Sequence, residues 1–248
     1  MEGSSKELEA GRLGRFTPAG LLLRTLKVWT ANVLPFTAVA IVLDLPLAAL
    51  NLRGASPEDP RTAALLLVVM WFVRLIASGA LSIGVLQALA GTRPRATAML
   101  VKAARQLWPV FAVAGVYTLL VLFGLFALVV PGVFVYVAGY LAVPAVLAEP
   151  ELGTEGALRR SFALTQGHRT ALLAVVASLA VLELVGMLGT TWLAEGPLSA
   201  SPIAGMAAAV VVDAVLGGFV LSCAAVAYHD LLVLKRLPVP RGRSSWPA

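Results

Sequence analysis

The 248-residue chain is 59% apolar and only 13% charged, with a mean hydropathy of +0.90. Soluble domains run near half apolar and about a quarter charged, so a water-soluble fold is excluded. A net charge of +6 and a pI near 10.0 would suit a nucleic-acid binder, but the basic residues are spread over short loops, which argues against nucleic acid and for anionic lipid headgroups.

Uncharged apolar stretches recur at about the 20 residues that a helix needs to cross roughly 30 Å of hydrocarbon. The expected fold is therefore all-α: a polytopic membrane bundle of about six transmembrane helices with short amphipathic interfacial helices. Residues 1–20 are polar and too hydrophilic for a signal-peptide core, so the first span is expected to stay in the mature protein. One membrane domain is expected over residues 21–230, followed by a basic, Pro-rich tail over 231–248.

The first span is predicted at 28–50, ended by a loop with Pro57 and Pro60, and the second at 62–90. Residues 97–108 set Met99, Leu100, Ala103 and Leu107 against Lys102, Arg105 and Gln106, the pattern of a short helix lying on the membrane. From 110 to 147 there is no charge at all, and one helix of that length would be about 57 Å long, nearly twice the bilayer core. That stretch must fold back, and Pro131-Gly132 is the expected turn between spans at 110–130 and 132–148. Residues 149–169 are polar, with Leu158 and Phe162 four apart beside Arg159, Arg160 and Gln166, which predicts a second interfacial helix. The last two spans are predicted at 170–194 and 202–228, separated by a loop with Gly196-Pro197.

Lys and Arg number five before the first span, four in 91–107, three in 149–169 and four in the tail, against two, Arg53 and Arg61, in the alternate loops. This asymmetry predicts both termini in the cytoplasm, in a bacterial inner membrane. Trp29, Trp108, Trp192 and Tyr228 fall near span ends, where amphipathic rings sit at headgroup level.

A weak internal repeat is also legible. Residues 20–26 (GLLLRTL) align with 156–162 (GALRRSF), and 102–108 is a poorer third copy, which would give three units of surface helix plus hairpin.

Four segments carry a family likeness: Gly20-Leu21-Leu22-Leu23-Arg24, Val130-Pro131-Gly132-Val133, residues 156–167 (GALRRSFALTQG) and Ala227-Tyr228-His229-Asp230-Leu231. Together they resemble the uncharacterised bacterial multi-pass proteins grouped by likeness to the membrane domain of glycerophosphodiester phosphodiesterases. The resemblance covers nearly the whole chain and implies a six-helix membrane module. The phosphodiesterase activity in that family name belongs to a separate soluble domain, for which these residues leave no room.

Asp44, Arg74, Glu183 and Asp213 are ionisable residues inside predicted spans, where charge is expensive and by default marks a functional candidate or a structural pair. Arg74 and Asp213 are estimated near mid-membrane and are expected to pair, while Asp44 and Glu183 are placed nearer the outer face. Ala214, Gly218 and Ser222 on span six, with Ser78 and Ser82 on span two, would let those helices approach closely. Arg24, Lys27, Lys102, Arg105, Arg159 and Arg160 are the candidates for lipid headgroups. His168, His229 and Asp230 lie near the interface, but no HExxH spacing or clustered ligand set accompanies them, so no metal is expected. Cys223, the single cysteine, reads as a small buried apolar residue.

No P-loop, dinucleotide fingerprint or intramembrane-protease constellation is present, and no cofactor is expected. The leading expectation is a non-catalytic envelope module that interacts with anionic lipids or partner membrane proteins. The rival is a small transporter that uses Arg74, Asp213 and Glu183, although the third and fourth spans add almost no polar side chains to a path.

Overall fold

The computed structural model describes residues 16–52, 59–197 and 201–238, apart from the side chains of 44, 46–52, 194 and 202. The chain forms α1 (Pro18–Ala31), α2 (Val33–Leu52), α3 (Pro60–Leu89), α4 (Ala96–Arg105), α5 (Leu107–Ala127), α6 (Val129–Gly139), α7 (Ala142–Ala148), α8 (Gly153–Thr165), α9 (Arg169–Glu195) and α10 (Pro202–Leu234). No strand occurs among the described residues.

Five segments are long and apolar enough to cross a bilayer: α3, α5, Val129–Ala148, Arg169–Leu193 and Ile203–Leu234. A bent pair formed by α1 and the first half of α2 would make a sixth. The protein is an all-α, multi-pass membrane protein. Three helices start on the same chemistry: Thr17, Asp59 and Ser201 each accept a backbone N–H of the first turn, and Pro18, Pro60 or Pro202 follows where no donor is needed.

The first span begins later than its hydropathy suggests. Residues 28–31 belong to α1, which meets α2 at 88° around Asn32. Asn32 closes α1 by donating its backbone N–H to Trp29 O and its side-chain amide to Val28 O. Pro35 then sits in the first turn of α2, where a missing N–H costs nothing. Similarly, α4 ends at Arg105 rather than running to Trp108, because Pro109 cannot donate to the Arg105 carbonyl and the helix restarts at Leu107.

The hairpin turns at Leu128, in an extended conformation with φ −166° and ψ 145°, and not at Pro131-Gly132. Pro131 instead occupies the first turn of α6. Gly132 serves the contact between the hairpin arms: a Cβ there would lie 2.6 Å from the Leu125 backbone N, and one on Gly124 would lie 2.8 Å from Gly132 Cα. The returning arm is itself broken at Tyr140-Leu141, where Pro144 withholds the N–H that Tyr140 O would accept. The final helix runs six residues past Tyr228 to Leu234, with Leu231 and Leu232 fully buried, so the tail starts later than expected.

α8 keeps Leu158 and Phe162 half-buried and buries another face fully. Its buried stripe is Ala157, Ser161, Leu164 and Thr165, packed against α5, α6 and α7, with Leu158 half-buried beside it. The element order of surface helix plus hairpin occurs three times, led by α1, α4 and α8. These helices share one end of the bundle, the basic end, where α1 meets the close of α10 and Lys235 meets α8; the opposite end is the far end.

α10 is the central helix and packs against α1, α2, α3 and α9. Burial is confined to the half near the basic end: Leu75 to Val85 on α3, Val110 to Ala114 on α5, Val137 to Leu147 on the returning arm, Leu172 to Leu179 on α9 and Ala214 to Val233 on α10. On the far halves of those five spans, among the described residues, only the glycines Gly124, Gly132 and Gly205 are buried. One half is a packed block; in the other the helices present their surfaces outward.

Candidate functional site

Arg74, Glu183 and Asp213 meet where the packed half gives way to the open one. Arg74 Nη1 lies 3.1 Å from Glu183 Oε1, and Nη2 lies 3.2 Å from Asp213 Oδ1, so one guanidinium from α3 bridges carboxylates on α9 and α10. The expected Arg74–Asp213 pair is present, and Glu183 joins it from the same depth. The three residues lie roughly 16–21 Å from the far ends of their helices at about 1.5 Å per residue, so Glu183 is no nearer the far face than the others. Asp44 is on α2, and its side chain lies outside the described residues.

Two glycines lie close to the cluster. A Cβ on Gly186 would lie 2.5 Å from Leu216 Cδ1, so α9 approaches α10 closely one turn from Glu183. Gly217, one turn below Asp213, sits beneath the guanidinium, where a Cβ would make ordinary contact 3.7 Å from Arg74 Nη1. Formally, one cation faces two carboxylates, a net charge of −1. The side chains are 42%, 41% and 53% exposed on the protein surface.

A second set of polar contacts occupies the basic end, and sequence reasoning missed it. Arg24 Nη2 lies 2.8 Å from Asp230 Oδ2, with the carboxylate 2% exposed. Arg160 donates through Nε and Nη2 to Glu149 Oε1 at 3.3 and 3.2 Å, and the Tyr228 hydroxyl donates to the same oxygen. Arg24 and Arg160 are equivalent in the aligned heptads, and each reaches a carboxylate near the end of a span in another unit. The next residues, Thr25 and Ser161, are both fully buried with hydroxyls bonded to backbone carbonyls.

Ser161 does more than satisfy itself. It accepts the Leu141 N–H at 3.1 Å and donates to Ala138 O at 2.7 Å, repairing the break between α6 and α7; Thr165 Oγ1 adds a longer contact to the same carbonyl. Lys235 donates to Ala163 O and Gln166 O, capping the last turn of α8 where the helix dipole favours a cation. Arg169 lies over the Phe134 ring, 4.2 Å from its centroid.

Arg24 and Arg160 are thus engaged with carboxylates. Arg159 is 80% exposed and pairs along its own helix with Glu155. Lys27 and Arg105 are exposed, and Lys102 is half-buried on α4. His168 packs on Phe16 with ring centroids 5.4 Å apart, and His229 Nδ1 is 3.7 Å from Asp230 Oδ1. No group of three metal-ligating side chains gathers among the described residues. Cys223 is buried. On α10, Ser222 bonds back to Gly218 O, and Gly218 receives Trp29 of α1, although α3 packs on α10 as expected.

No protein-family model, curated protein or solved structure matches the chain.

Proposed function

We propose that this protein is a non-catalytic membrane module that engages membrane-embedded partners, lipid or protein, along the far half of its bundle. The division of the bundle carries this reading. The basic half is packed and cross-tied by Arg24–Asp230 and Arg160–Glu149–Tyr228, whereas the far half exposes apolar surfaces of the five spans, with a charged floor shared by α3, α9 and α10. Charge half-exposed to hydrocarbon is costly, so that floor calls for a covering partner.

In this reading the basic end faces the cytoplasm of a bacterial inner membrane. Exposed Lys27, Arg105 and Arg159 attract anionic headgroups there. The three-charge cluster favours a second reading, a small transporter with an aqueous path.

Nitroxides placed through Met70→Cys, Met187→Cys and Val211→Cys in a Cys223→Ser background separate the two. In reconstituted bilayers the module reading predicts collision with dissolved oxygen and no collision with a water-soluble nickel chelate. Access by the chelate to all three sites would overturn it in favour of the transporter. An impermeant thiol reagent on intact spheroplasts tests orientation: Pro197→Cys should be labelled and Thr97→Cys should not.

A further inference from the structure

We infer that the exposed surface around Arg74, Glu183 and Asp213 docks a transmembrane helix of a partner protein that carries a single Lys or Arg near mid-membrane. The inference rests on the module reading above and names the partner's chemistry. Charge gives the first argument. The cluster holds one guanidinium against two carboxylates, its side chains are each about half exposed, and the other arginines of the spans, Arg61 and Arg169, sit at helix ends and not at its depth. One further cation at that depth would balance the cluster, and lipid tails provide none.

The surface above the cluster gives the second. Met70 precedes Arg74 by one turn, Met187 follows Glu183 by one turn, and Met206 precedes Asp213 by two, each toward the far end on the same face as its charged residue. Met70 and Met187 are exposed and Met206 half-buried. Methionine is flexible and polarizable and recurs on surfaces that accept varied apolar helices. A hydrophilic solute would want polar walls here. A second copy of this chain would bring another net negative cluster, with its Arg74 already shared between two carboxylates. The occupant that fits is an apolar helix with one central cation.

The test uses the full chain reconstituted in zwitterionic vesicles with labelled synthetic transmembrane peptides of Leu and Ala. The peptides are identical except for a central Lys, Leu or Glu, and association is read by energy transfer. The Lys peptide should bind at least about tenfold more tightly than the other two. Asp213→Asn, which makes the cluster neutral, should abolish that preference, and Glu183→Gln with Asp213→Asn, which leaves Arg74 alone, should shift it toward the Glu peptide. Equal binding of all three peptides to the wild-type chain would overturn the inference whether or not the variants fold. So would self-association of the chain that excludes every peptide. Lipid-like nitroxides with no peptide discrimination would sink this inference alone, whereas access of the nickel chelate would sink the module reading beneath it.

Discussion

Arg24, in the middle of α1, and Asp230, near the end of α10, are joined at 2.8 Å, and the carboxylate is almost fully buried. The contact closes the bundle: it holds the first surface helix against the last span, as Arg160 holds α8 against Glu149 at the end of the returning arm.

Arg24→Ala should therefore destabilise the protein beyond the loss of one surface contact, because the Asp230 carboxylate stays buried without its cation. The expected cost is on the order of 1–3 kcal/mol. Adding Asp230→Asn should return much of it, since a neutral amide needs no counter-charge. Thermal unfolding of both variants in detergent checks this, and a double variant no better than Arg24→Ala would contradict it.

Ser161→Ala removes both bonds that repair the break at Tyr140-Leu141, leaving the buried Leu141 N–H without its partner. An unpaired buried amide costs about 1–3 kcal/mol. Amide hydrogen exchange at Leu141 should accelerate in the variant more than exchange in α10; unchanged protection at Leu141 would show that water replaces the hydroxyl.

The spans were legible in the sequence because lipid imposes a length and an absence of charge, and Arg74 with Asp213 stood out for the same reason. The breaks were harder to place. Asn32, Gln106 and Leu128 end helices through capping and through prolines three residues downstream, so each break precedes the proline that causes it. Pro131-Gly132 looks like a turn by composition, yet Pro131 fits the first turn of α6 and Gly132 faces the neighbouring arm. The cross-ties escaped because Glu149 and Asp230 lie at span ends, where an acid looks solvated until tertiary contacts bury it. The one signal available was the heptad repeat, which aligned Arg24 with Arg160.

His168 supplies a pH dependence. Burial, and then the charge of Lys235, hold its imidazole below the ordinary value of 6.5. Between the lowered folded pKa and 6.5 the unfolded chain binds more protons, so this contribution to stability is present above 6.5 and is lost as pH falls through that window. His168→Gln should shrink the drop in melting temperature between about pH 7.5 and 5.5. An identical drop in the variant would assign the dependence to other groups.

The cluster of Arg74, Glu183 and Asp213 is the centre of the account, and a stability cycle in bilayers tests it most directly. Arg74→Ala leaves two carboxylates facing each other in the membrane, and the loss should be on the order of 3 kcal/mol, as for other broken ion pairs removed from water. The triple variant Arg74→Ala, Glu183→Gln, Asp213→Asn carries no charge there and should be more stable than Arg74→Ala alone. If the triple variant instead loses the sum of the separate losses, the three residues are uncoupled and the cluster does not exist in the membrane.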